Sequence, residues 1–197
     1  MIIGVDFDNT IVSYDNVFWK VAKELGLISE GLPVNKNAVR DFLRESDQED
    51  KWTELQGYIY GARMEDAGLF QGFDTFLSRA SALNHRVCIV SHKTKKPYLG
   101  RAYDLHAAAI GFLEELKLEQ FGLDLLDVYF EVSKELKIDR IRKLKCDVFI
   151  DDLPEIFSDA EFPEISKVLF DPFHCHPLEA GYMSCHSWND VTQAIIC

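Results

Sequence analysis

Met1-Ile2-Ile3-Gly4-Val5-Asp6-Phe7-Asp8-Asn9-Thr10 opens the chain with an apolar run that stops abruptly in acid. A short apolar stretch bounded by polar turn residues suits a strand buried on both faces, as in parallel sheets. The pattern returns along the chain. Arg86-Val87-Cys88-Ile89-Val90-Ser91 is a second such run and Val128-Tyr129-Phe130-Glu131-Val132 a third. Asp147-Val148-Phe149-Ile150 is a fourth, running straight into Asp151-Asp152, and Ser166 to Phe170 reads as a fifth. Helical spacing fills the gaps. Asp104 stands where it can cap a helix with an apolar stripe of Leu105, Ala108, Ala109, Phe112, Leu113 and Leu116. Ile138, Ile141 and Leu144 mark another over 134–144, and a short helix near 189–196 closes the chain. Strands alternating with helices predict an α/β fold, a Rossmann-like parallel sheet flanked by helices and joined by right-handed crossovers.

The segment between the first two strands is too long for one crossover. Val17, Val21 and Leu25 follow helical spacing, with Gly26 as a stop. Asn37 is a cap for a second helix carrying Val39, Phe42 and Leu43. Residues 48–64 give a third, with Trp52, Leu55 and Ile59 on one side, and 73–83 a fourth, with Phe73, Phe76, Leu77 and Ala80. This predicts a small α-helical cap, residues 14–70, inserted after the first strand into a core domain of residues 1–13 and 71–197.

Composition narrows the function. Apolar residues make up 47% of the 197, enough for a real core. The formal charge of −12, from 21 Lys+Arg against 33 Asp+Glu, argues against nucleic-acid and anionic-membrane partners. No segment is apolar for the length of a membrane span, and the N-terminus lacks the basic and apolar regions of a signal peptide. Five scattered cysteines, an odd number, fit reduced thiols in a cytoplasmic protein better than a disulfide framework.

In doubly wound sheets ligands bind beyond the carboxyl ends of the strands. Those ends carry Asp6 and Asp8, Ser91, and Asp151 with Asp152, and Lys137 starts the helix that leads into the fourth strand. Carboxylates gathered in one crevice repel one another unless one takes up a proton or a cation joins them. A hard divalent cation such as Mg2+ resolves the conflict and can bridge the acids to an anionic phosphate.

The arrangement resembles the haloacid dehalogenase-like (HAD) superfamily over nearly the whole chain. Asp6-Phe7-Asp8-Asn9-Thr10 matches that family's Asp-x-Asp-x-Thr/Val motif, Ser91 its Ser/Thr at the next core strand, Lys137 its lysine, and Asp151-Asp152 its late acidic pair. Each motif alone is weak; four in order are not. The resemblance implies a phosphatase in which Asp6 attacks phosphorus to form an aspartyl-phosphate. Asp8 protonates the leaving alcohol and then deprotonates water. Ser91 holds a phosphoryl oxygen, Lys137 offsets charge, and Asp6, Asp8, Asp151 and Asp152 hold Mg2+. The family's dehalogenases lack an acid at the position of Asp8, so the carboxyl favours phosphoryl transfer. A helical cap there favours a small phosphorylated metabolite, a sugar phosphate or a nucleotide. A phosphotransferase or phosphomutase on the same site, and a binding protein whose catalysis has lapsed, are the competing readings. A phospho-accepting receiver domain is disfavoured, because its acidic pair comes first and its acceptor Asp mid-chain.

Other features are more ambiguous. Lys134 competes with Lys137 for the catalytic role. The basic loop from His92 and Lys93 to Arg101 can steer an anionic substrate or simply be solvated. Tyr60 and Arg63 are the candidate substrate contacts of the cap. His174-Cys175-His176 and Cys185-His186 invite a zinc reading, but their spacing matches no standard zinc pattern, and a constrained loop fits better.

Overall fold

The computed structural model describes residues 1–177 and 180–197. Strands β1 (Ile2–Val5), β4 (Arg86–His92), β5 (Val128–Glu131), β6 (Val148–Asp151), β7 (Ser166–Phe170) and β8 (Met183–Cys185) form one sheet in the order β5-β4-β1-β6-β7-β8. Every pairing in it is parallel. The chain therefore starts at the centre, steps outward through β4 to β5, returns beside β1 as β6, and steps out the other way. This reversal makes a switch point, and it opens a crevice at the carboxyl ends of β1 and β6. β2 (Val12–Ser13) and β3 (Gly68–Leu69) form a separate two-stranded ribbon.

Side chains alternate across the sheet. Cys88, Val90, Phe149 and Leu169 face one side, where Ile138 and Ile141 of α6 (Lys134–Leu144) cover them. Gly4 shares that side: a Cβ there would sit 2.5 Å from the Phe149 ring, so only glycine lets β1 pass beneath it. The other side is aromatic. Trp188 of the last helix (Trp188–Ile195) lies 4.7 and 4.9 Å, centroid to centroid, from Phe73 and Phe76 of α4 (Phe73–Ala82), and 5.3 Å from Phe170. Such pairs add about 0.5–1.5 kcal/mol each beyond area burial.

By its contacts the chain divides into two compact units. One, residues 1–11, 69–93 and 117–197, holds the six-stranded sheet. The other, residues 12–68 and 94–116, holds α1 (Asp15–Glu24), α2 (Lys36–Glu45), α3 (Glu49–Ala62) and α5 (Leu105–Leu116). The helical unit is thus larger than an insertion of residues 14–70. The cause lies in α3: a Cβ on Gly57 would meet Pro97 at 2.5 Å, and one on Gly61 would meet Tyr103 at 2.4 Å. The two glycines let the 97–103 segment lie directly on the helix, and α5 follows it.

Local details also shift. The cap of α2 is Asn35, whose Oδ1 accepts from the Ala38 N–H at 2.7 Å; Asn37 lies inside the first turn. Asp104 caps α5 as its position predicts, accepting from the Ala107 N–H at 3.0 Å. All five cysteines are free thiols. Among the described residues no helix is long and apolar enough to cross a membrane.

Candidate active site

The Asp6 N–H donates to the Ile150 carbonyl at 2.8 Å, which ties the end of β1 to β6. Asp6 follows Gly4 by two residues and Asp151 follows Phe149 by two, so both carboxylates face the side that α6 covers. Ser133 caps that helix, accepting from the Leu136 N–H at 3.3 Å, and Lys137 follows one turn in. Its ammonium donates to Asp6 Oδ1 and to Asp151 Oδ2, at 2.6 Å each. The three side chains are only 5%, 7% and 1% exposed, so the bridge is desolvated and its bonds are charge-assisted. Asp151 Oδ1 also accepts from the Leu153 N–H at 3.0 Å.

The turn after β1 is pinned at several points. Asn9 takes a left-handed φ of 60°, the Ile11 N–H donates to the Phe7 carbonyl at 3.1 Å, and the Trp188 indole N–H donates to the Thr10 carbonyl at 3.1 Å. Thr10 Oγ1 stands 3.5 Å from Asp152 Oδ1, a weak contact linking the turn to the acidic pair. Asp8 leaves this turn toward Lys93, whose ammonium reaches both of its carboxylate oxygens, at 2.9 and 2.7 Å. Ser91 is buried two residues beyond Ile89, the partner of Val5 in the strand beside β1.

Electrostatics set the site apart. Burial drives the Asp6 carboxyl up, Lys137 draws it down, and Asp151 and Asp8 push it up again, leaving it at about 7. Burial opposes the Lys137 charge, but Asp151 and Asp6 outweigh it and hold its pKa above the ordinary lysine value. A carboxyl this far from its usual range in a crevice marks a functional-site candidate.

Oxygens of Asp6, Asp151 and Asp152 all lie within 4.8 Å of one another, the one such group of potential metal donors among the described residues. All are carboxylate oxygens, the donors a hard cation prefers. With Asp6 ionised, Asp6, Asp8, Asp151 and Asp152 face Lys93 and Lys137. Two negative charges remain, the complement of one divalent ion. The residues therefore fit a hard divalent cation, with Asp6, Asp151 and Asp152 placed to hold it.

The sequence candidates thus divide. Asp6, Asp151, Asp152 and Lys137 come together. Lys134 pairs with Asp159 at 2.6 Å near the surface, apart from the bridge that Lys137 makes. His92 is exposed at the end of β4, whereas Lys93 is buried on Asp8. In the helical unit, the Tyr60 ring packs 4.9 Å from Tyr14 and 5.8 Å from Phe18, and Arg63 pairs with Glu24 and Asp66. The His174 and His186 rings lie 3.9 Å apart, and His186 Nδ1 is 2.7 Å from the Asp171 carbonyl. The Asp171 carboxylate accepts from the Cys175 and His176 N–H groups at 2.8 and 2.9 Å, so a buried acid shapes this loop. Sequence reading passed over Asp171, Thr10 as a linker to Asp152, and Trp188. None sits at a spacing that signals its partner.

No protein-family model matches the sequence, and no curated protein matches it significantly. Solved structures do. A HAD family hydrolase from Deinococcus radiodurans with bound phosphate and sodium is 16% identical, with a TM-score of 0.57 over 98% of this chain and 93% of that one. Protein Tyrosine Kinase A of Mycobacterium tuberculosis is 14% identical, with a TM-score of 0.65 over 98% and 96%. A dehalogenase is 11% identical, with a TM-score of 0.59 over 99% and 96%. At such identities the likeness speaks for the fold, and together with the switch-point sheet and its carboxylates it shows that this chain has the haloacid dehalogenase-like fold.

Proposed function

We propose that this chain is an Mg2+-dependent phosphohydrolase that cleaves a small phosphate monoester by way of an aspartyl-phosphate on Asp6. The observation that carries the reading is the buried Lys137 ammonium bridging Asp6 and Asp151 at 2.6 Å each, beside Asp152. Lys137 holds Asp6 Oδ1 and leaves Oδ2 as the attacking oxygen. The Oδ2–P bond forms as the P–O bond to the alcohol breaks, and the leaving oxygen keeps the electron pair and takes a proton from Asp8, which enters the step protonated, having taken up a proton as the anionic ester binds beside it. Water then attacks phosphorus, Asp8 takes its proton, and the Asp6 carboxylate departs. Asp8 would add its backbone carbonyl to the metal donors, and Ser91 would bind a phosphoryl oxygen. Bound Mg2+ supplies Lewis-acid polarisation and neutralises charge on the phosphoryl group.

Asp8 favours this chemistry over dehalogenation. A departing halide needs no proton, whereas a departing alkoxide does. Sugar phosphates and nucleoside monophosphates are the substrate classes in view, and the free thiols accord with a reducing, cytoplasmic setting. The test is a panel of phosphate esters and 2-haloacids, assayed with and without EDTA, for the wild type and Asp6→Asn. Phosphate release that stops with either EDTA or the substitution supports the mechanism. Release that survives both, or halide release in place of phosphate, refutes it.

A further inference from the structure

We infer that Lys93 is a positioning residue for proton transfer: it orients the Asp8 carboxylate without itself binding the phosphoryl group. The inference rests on the proposed function and deepens it. Lysines are almost never fully buried unless paired, and the Lys93 side chain is only 3% exposed. Its ammonium lies 2.9 and 2.7 Å from the two oxygens of Asp8, and 5.3 Å above the Phe7 ring. Contact with both oxygens holds the carboxyl end of the side chain in one place, at the distance the lysine sets.

The lysine is itself well anchored. Its backbone N–H donates to the Glu131 carbonyl at 2.8 Å, one residue past the last strand position of β4. The side chain therefore springs from the sheet, the rigid part of this unit, and reaches back to a residue on a turn. Asp8 needs such support: it stands beside the left-handed Asn9, and its own side chain is 20% exposed. A misplacement of about 1 Å in a catalytic group can cost about 10²-fold in rate. The two buried lysines divide the acids between them, Lys137 taking the nucleophile and Asp151, Lys93 taking the proton donor.

Leaving-group dependence tests this. p-Nitrophenolate departs with little help from an acid, whereas the alkoxide of glycerol 2-phosphate needs a proton. Turnover of p-nitrophenyl phosphate, phenyl phosphate and glycerol 2-phosphate is measured for wild type, Lys93→Met, Lys93→Gln and Asp8→Asn, with inhibition by inorganic phosphate. Lys93→Met should lower kcat for glycerol 2-phosphate about 10²-fold, within the span of acid–base catalysis, and that for p-nitrophenyl phosphate about threefold or less. KM and the phosphate inhibition constant should change about twofold or less, as expected when ground-state binding is untouched. Lys93→Met should add little to Asp8→Asn in the double variant, because both act through one group. Equal losses on all three esters overturn the inference, and so does a large rise in the phosphate inhibition constant, which would make Lys93 a phosphate ligand. If Lys93→Met fails to fold, Lys93→Gln carries the same comparison, and an unchanged ester preference overturns it. A wild type inactive on every ester would instead refute the proposed function.

Discussion

Lys137→Met separates the electrostatic account of the site from a purely packing one. Methionine keeps most of the volume and removes the charge. Two buried carboxylates, Asp6 and Asp151, then lose the donor they share at 2.6 Å each. Breaking a buried ion pair from one side typically costs about 3–5 kcal/mol. A second route gives a similar figure. Oxygens of Asp6 and Asp151 lie within 4.8 Å of each other. At an effective dielectric of about 20, two unit charges at that range repel by about 3.5 kcal/mol. Small domains are stable by only about 5–15 kcal/mol, so the loss in EDTA should be a large share of the total.

Urea unfolding is the assay, run in EDTA and in saturating Mg2+. Lys137→Met should lose about 3–5 kcal/mol in EDTA. Mg2+ should return about 3 kcal/mol at a hundredfold excess over its dissociation constant. Adding Asp6→Asn to Lys137→Met removes one of the two opposed charges and should recover much of the loss without metal. A Lys137→Met midpoint equal to wild type in EDTA refutes the reasoning. So does a double variant no more stable than the single one, because the carboxylates would then not be the source of the cost.

Three further outcomes follow from the same geometry. Asp6 sits at about 7 in the fold against about 3.9 in an unfolded chain; its contribution to stability is therefore fully present below about pH 4 and lost as pH rises through about 7. In EDTA the wild-type melting temperature should fall relative to Asp6→Asn between about pH 4 and 7, and a flat difference would show that Asp6 is not raised. Ser133→Ala removes the cap of the helix that carries Lys137 and should cost about 1 kcal/mol, while Ser133→Asp should restore it; equal losses in the two would exonerate the cap. Both site lysines are engaged by carboxylates, so inorganic phosphate should bind, by calorimetry, only when Mg2+ is present; equal binding in EDTA would refute the charge balance.

The central architecture was legible because buried parallel strands have to be continuously apolar. β1, β4, β6 and β7 announce themselves, and the acids that end β1 and β6 need only the switch-point rule to be placed together. Other features needed the third dimension. Met183-Ser184-Cys185 has no apolar run, yet it adds β8 at the edge through its pairing with β7. Residues 94–116 joined the helical unit because Gly57 and Gly61 admit the 97–103 segment, and a glycine in a helical stretch does not say what approaches it. Asn35 and Asn37 are equal caps on propensity; the choice follows from where the helix begins, and Asp15 helps fix that point by accepting from the Lys36 N–H at 2.9 Å.

The lysines show the limit most plainly. Lys93 opens a basic run and reads as either a contact for an anionic substrate or a solvated lysine. Its burial follows from the ladder continuing past β4 to Glu131, which no composition reveals. Lys134 and Lys137 share a helix, and only the phase set by Ser133 separates the lysine that meets Asp159 from the one that enters the core. In an acidic chain this partition matters. Each buried cation is placed on carboxylates of the crevice, Lys137 on Asp6 and Asp151 and Lys93 on Asp8, the proposed nucleophile and proton donor among them. Under the proposed function, the cationic charge that greets an anionic substrate would then be left to a divalent ion held by Asp6, Asp151 and Asp152. If the proposed function holds, a site built this way would bind phosphate through its acids, which is how a protein of net charge −12 would handle a substrate its surface repels.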